Sequence, residues 1–120
     1  MKGDGESLSI SFNKLGGLAV AQGDLPAAAR LFGECNKILE RLAASDPDNA
    51  GWQRDLSYSC TVIAEVFMKQ ERWSEALPLL ERSLEIDERL AISDPSNVTW
   101  QNDARVSRRL VAQVRAKIGE

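Results

Sequence analysis

ERLAASDPDNAGWQRD, residues 40–55, returns at residues 88–103 as ERLAISDPSNVTWQND, with eleven of the sixteen positions identical. A chain that writes one segment twice either performs the same chemistry twice or builds the same structure twice. Laid over one another, 8–55 and 56–103 agree at eighteen positions. Leu8/Leu56, Ser9/Ser57, Ser11/Ser59, Gln22/Gln70, Ala28/Ala76 and Leu31/Leu79 are among the matches outside the segment. Residues 104–118 then begin a third copy that stops after half a unit. A fixed period of this length marks stacked repeats, in which each unit buries its apolar face against the next.

Each unit reads as two helices. In the second copy, Leu56, Cys60, Ile63 and Phe67 recur at spacings of three and four, as do Trp73, Ala76, Leu77, Leu80 and Leu84. That is helical periodicity, and no alternating run bounded by a hairpin turn competes with it. The Asp-Pro-x-Asn stretches explain the breaks. A residue before proline avoids the α region, so Asp46 and Asp94 end their helices. Asn49 and Asn97, or the residue before each, are placed to cap the next helix. The duplicated segment is thus a helix end, a tight corner and a helix start. Five helices are expected, at 6–22, 25–45, 49–70, 73–93 and 97–118, in one all-α domain spanning 1–120. Repeat one is 8–55, repeat two 56–103, and a terminal half-repeat helix covers 104–118.

The bulk properties exclude several classes. With 43% apolar and 28% charged residues, the chain has the composition of a soluble globular domain. No apolar run approaches the roughly 20 residues that span a bilayer. The opening residues carry no apolar leader, so a cytoplasmic setting is expected. An acidic body precedes a basic end (Arg105, Arg108, Arg109, Arg115, Lys117), which is not the broad basic face of a nucleic-acid binder. The basic end is either the polar outer face of a capping helix or a docking surface for an acidic partner, such as another copy. Cys35 and Cys60 lie among apolar neighbours at helical spacing, which favours buried small side chains over reactive thiols.

Leu15-Gly16, Ala28 and Phe32 in the first unit, with Ile63-Ala64, Phe67, Ala76 and Leu80 in the second, give the chain a resemblance to the tetratricopeptide repeat family. Gln22-Gly23-Asp24-Leu25 is similar to that family's turn between helices, and Asp-Pro to its repeat end. The family unit runs to about 34 residues. This one is fourteen longer, seven added to each helix of the corner, or about two turns and 10 Å per helix. Long-helix relatives of the kinesin light chain type offer the comparison. The resemblance implies an α-solenoid of about five antiparallel helices in a right-handed superhelix. It also implies non-covalent binding of a protein or peptide segment in a concave groove, as a scaffold or adaptor, and a setting among bacterial repeat arrays. The alternative is a structural unit whose groove is closed by a second copy, making a homo-oligomer.

By the family's spacing, the groove carries Ile10, Asn13, Gly17 and Ala21, then Tyr58, Thr61, Glu65 and Lys69, then Arg109, Gln113 and Lys117. The partner-binding candidates are Asn13, Tyr58, Thr61, Glu65, Lys69, Arg109 and Gln113. Relatives that clamp a C-terminal carboxylate place lysine and asparagine at such positions, and Asn13/Gly17 and Thr61/Glu65 do not reproduce that pattern. Symmetry about each corner suggests interhelix ion pairs Arg41–Asp55 and Arg89–Asp103. Trp52 and Trp100 are expected over Ala43, Ala44 and Ala91, as packing or as ligand platforms.

Nothing in the sequence points to catalysis. The chain has no histidine, the commonest general base and metal ligand. Gly16, Gly17 and Gly23 lack the strand and lysine of a phosphate loop. The acidic cluster Glu81, Glu85, Asp87 and Glu88 resembles a carboxylate site only superficially: Glu81, Glu85 and Glu88 share one helix face, which reads as solvated. No cofactor, metal, nucleic-acid or membrane partner is expected.

Overall fold

A computed structural model describes the backbone of residues 2–119 and the side chains of residues 5–119. Met1 and Glu120 lie outside the described residues. Five helices follow one another: α1 (Lys2–Ala21), α2 (Leu25–Ser45), α3 (Ala50–Lys69), α4 (Trp73–Ser93) and α5 (Val98–Ile118). No strand occurs among the described residues. Four of the five expected helices match within a residue at each end, and α1 starts earlier than expected.

The corners work as their residues require. Asp46 and Asp94 leave the helical region at φ −148° and −145°, as the following prolines demand. Asn49 Oδ1 accepts from the Trp52 amide at 3.0 Å, and Asn97 Oδ1 accepts from the Trp100 amide at 3.0 Å. Ser45 and Ser93 each donate back to the carbonyl three positions earlier, at 2.7 Å. The corner residues Ser45/Ser93 and Asn49/Asn97 therefore make the same bonds in both copies.

The other turns differ between copies. Gly23 occupies the left-handed region at φ +77°, with Asp24 capping α2 through the Ala27 amide. The equivalent pair is Glu71, left-handed at φ +58°, and Arg72, whose side chain makes no cap. A side chain at positive φ is strained, and glycine is not. Glu71→Gly is expected to raise the unfolding free energy by about 0.5–1 kcal/mol, the strain relief exceeding the entropic cost of glycine. Urea denaturation measures it, and an unchanged or lowered midpoint refutes it.

Every substantial interhelix contact joins consecutive helices: α1 with α2, α2 with α3, α3 with α4, α4 with α5. The body measures 34 × 33 × 20 Å, two helix diameters thick. One layer holds α1, α3 and α5; the other holds α2 and α4, tied together by Arg82 to Glu40 at 3.0 Å.

The core runs through three adjoining clusters. One gathers Cys35, Leu39, Leu42, Ala43, Trp52, Leu56, Cys60 and Ile86 around the first corner. Trp52 is thus packing, next to Ala43 as expected, and its indole N–H donates to Glu6. Trp100 is only half-buried. The second cluster holds Ala19, Ala28, Phe32, Ile63 and Val66, and the third Ala64, Ala76, Leu80, Val111 and Val114. Gly16 marks a close approach of α1 to α2: a Cβ there would stand 2.5 Å from ring carbons of Phe32. Around Gly17, by contrast, a Cβ would meet nothing.

The expected ion pairs do not form. Asp103 is held by Arg54 of α3, at 2.7 and 3.3 Å, and Arg89 turns to Glu85 on its own helix at 3.2 Å. The charges acting on Asp55 are those of Arg54 and Glu6. Equal distance from a turn does not fix helical phase. Each step along the helix rotates the side chain by about 100°, and that rotation leaves Arg41 exposed. The solvated-face reading of Glu81, Glu85 and Glu88 agrees with their side-chain exposures of 46%, 65% and 45%. Glu81 takes Arg115 and Glu88 takes Arg108, so two of α5's arginines are neutralised within the chain.

Candidate functional site

The layer of α1, α3 and α5 presents a groove with three depressions. The first, about 180 Å³ between α1 and α3, is lined by Ser9, Ile10, Asn13, Lys14, Cys35, Leu39, Asp55, Tyr58 and Ser59. The second, about 390 Å³ between α3 and α5, is lined by Arg54, Asp55, Ser57, Tyr58, Thr61, Asp87, Asp103, Val106 and Ser107. Asp55 and the exposed Tyr58 belong to both, so the groove is continuous. One repeat further along the chain, the counterparts of Ser9, Ile10, Asn13, Leu39, Asp55, Tyr58 and Ser59 are Ser57, Tyr58, Thr61, Asp87, Asp103, Val106 and Ser107. The repeat has therefore written one depression twice, with a different floor each time.

In the first copy the floor is Leu39 and Cys35. In the second it is Asp87, with the fully buried Ser83 beneath it. Asp87 is 4% exposed, a buried carboxylate. Hydroxyls solvate it in place of water. Ser57 donates to Oδ1 at 2.5 Å and Ser107 to Oδ2 at 2.5 Å, while Ser83 reaches Oδ2 at 3.5 Å. Thr61 and Ser83 lie 2.9 Å apart and extend the network to the groove surface. Burial pushes the Asp87 carboxyl above the usual carboxylate range, and the Ser107 and Ser57 bonds only partly offset it. Burial also raises Asp55, against the lowering pull of Arg54. The cation lining the second depression, Arg54, is tied to Asp103. Three carboxylates and one spoken-for guanidinium make it an acidic recess.

A third depression of about 250 Å³ lies farther along α1 and α3, with Gly17, Val20, Phe32, Val62, Glu65, Val66 and Lys69 on its walls. Of the residues proposed from sequence, Asn13 and Tyr58 line the first depression, Tyr58 and Thr61 the second, and Glu65 and Lys69 the third. Arg109 and Gln113 are exposed on α5 and line none of the three. Comparisons with protein-family models, characterised proteins and solved structures give no match.

The sequence reading left Asp87 off the solvated face of Glu81, Glu85 and Glu88 but gave it no role of its own, and so missed it. The signal was present, because Asp87 shares a helical row with the buried Leu80, Ser83 and Ala91. Among the described residues, no helix is long and apolar enough to cross a membrane, and no cluster of His, Cys, Asp or Glu is placed to hold a metal ion. Cys35 and Cys60 are buried, free and pushed up in pKa by that burial. Asn36 donates to Cys60 Sγ at 3.5 Å, which makes that thiol part of the packing.

Proposed function

We propose that the chain is a tetratricopeptide-like interaction module. It binds an extended protein segment along the α1/α3/α5 face, placing an uncharged side chain in the first depression and a basic one in the second. The observation that carries this reading is the twice-written depression with its floor changed from Leu39 to Asp87. The resemblance in sequence, the packing of each helix on its chain neighbours and the approach of Gly16 to Phe32 support a long-helix repeat. Its superhelix is expected to be right-handed. The two unpaired cysteines suit a reducing cytoplasm. An acidic recess repels a C-terminal carboxylate, in keeping with the absence of a carboxylate-clamp pattern. It also disfavours a groove closed by a second copy, since that would bring two acidic surfaces together.

A peptide array followed by calorimetry tests the proposal. Peptides with lysine or arginine after an apolar residue are expected to bind, and their glutamate counterparts to bind at least about tenfold more weakly, a difference of about 1.4 kcal/mol. Asp87→Leu, which installs the first copy's floor in the second, is expected to remove that preference while leaving the circular dichroism spectrum unchanged. Charge-indifferent binding, or a preference that survives Asp87→Leu, refutes it.

A further inference from the structure

The repeat register also shows which surface of the molecule lacks its cover. In α3, Leu56, Ser59, Ile63 and Val66 form the row that packs on α2, and all four are buried. In α5, the same positions are Ala104, Ser107, Val111 and Val114, buried against α4. In α1 they are Leu8, Ser11, Leu15 and Leu18. No helix among the described residues lies over this row, and Leu8, Leu15 and Leu18 are 50%, 49% and 54% exposed. These three leucines lie apart from the α2-facing row of Ser9, Phe12, Gly16 and Ala19. A helix that is apolar on two sides is a helix built to be covered on both.

We propose that a second copy of this chain covers the row, with the two α1 helices packed antiparallel about a two-fold axis. The spacing of Leu8, Ser11, Leu15 and Leu18 is three, four, three, the seam of a coiled coil. Antiparallel pairing sets Leu8 of each copy against Leu18 of the other and Ser11 against Leu15, so the contact is self-complementary, as a two-fold interface must be. No ionisable residue lies on the seam. Lys14, beside it, comes level with Phe12 of the other copy rather than with its own equivalent. Nothing else on the described surface matches the row so well. The large apolar side chains exposed outside α1 are Tyr58, Ile92 and Val98, which are scattered over three helices. The open edge of α5, at positions equivalent to α3's contacts with α4, is Gln101, Arg105, Arg108, Ala112 and Arg115, unsuited to an apolar row. The groove remains open in such a dimer, so this inference does not depend on the binding reading above.

One helix pair falls at the small end of protein interfaces, under about 1,200 Å² in total, so the dimer is expected to be weak and concentration-dependent. Sedimentation equilibrium of the full chain tests it. The average mass is expected to climb from monomer toward dimer as concentration rises. Leu15→Glu is expected to hold the chain monomeric throughout, with its helical content unchanged. Ser11→Leu, which fills the one polar seam position, is expected to tighten the dimer about tenfold, so the seam is tested even if Leu15→Glu fails to fold. A wild-type chain that stays monomeric at the highest concentration overturns the proposal and leaves the row to a further repeat or to another protein. A dimer that Ser11→Leu leaves unchanged, or one that a folded Leu15→Glu variant still forms, overturns it too.

Discussion

Gly16→Ala is expected to lower the unfolding free energy by about 2 kcal/mol through overpacking, and Phe32→Leu to return most of that loss when the two are combined. The added Cβ would lie 2.5 Å from two carbons of the Phe32 ring. Phe32 is itself held among Ala19, Ala28, Ile63 and Val66, so the ring has little room to retreat. Overpacking of this kind costs about 1–3 kcal/mol. The 2.5 Å approach puts the overpacking near the top of that range, and the better helix propensity of alanine recovers up to about 1 kcal/mol, which leaves a net loss of about 2 kcal/mol. The second copy supplies the reason for the rescue. At the positions equivalent to Gly16 and Phe32 it carries Ala64 and Leu80, and both are fully buried in one cluster. A larger residue on one helix goes with a smaller one on the other. Phe32→Leu alone leaves a void and is destabilising. A double-mutant cycle in urea is therefore expected to give a strong favourable coupling, and additive single effects would rule it out.

Ser107→Ala is expected to cost about 2 kcal/mol at neutral pH, where its bond is to a charged group, and much less at pH 4. Ser107 donates to a buried carboxylate, and bonds to charged groups contribute about 1.5–3 kcal/mol. The pH dependence follows from linkage. Asp87 has a folded-state pKa above its unfolded value, so the folded chain binds its proton more tightly. That contribution to stability is fully present below the ordinary carboxylate range and is lost as pH rises through the folded pKa. Asp55 is shifted the same way and adds to the trend. Removing a hydroxyl that favours the ionised form raises the Asp87 pKa further, so the loss extends to higher pH. Asp87→Asn removes the charge altogether and is expected to flatten the slope over this window, leaving the smaller part due to Asp55. Thermal melts of the three chains between pH 4 and pH 8 measure this. A wild-type chain whose stability climbs across that window would contradict the sign.

The helices were legible because two independent signals agreed: apolar spacing of three and four, and a proline corner that recurs at one offset. Ser45, Asn49 and their copies are repeated because they bond to the backbone, which is the same in both units. The side-chain network was less legible. Arg54 pairs with Asp103, but its equivalent in the next unit is Asn102, so no repetition announced the pair. Glu6 and Trp52 are far apart in the chain, and only packing brings them together. The groove was partly visible, since Asn13, Tyr58 and Thr61 line it, but its acidic floor comes from α4 in the other layer. A list of groove residues drawn from the first helices alone could not include Asp87.

Because each helix touches chiefly the one before and the one after it, the ladder of contacts has a consequence for how the chain reaches its native state. No segment must search for a distant mate. Any one hairpin is able to form first and serve as the surface on which its neighbour zips up. Topologies so dominated by short sequence separations fold in microseconds to milliseconds, with synthesis on the ribosome, rather than the conformational search, setting the pace.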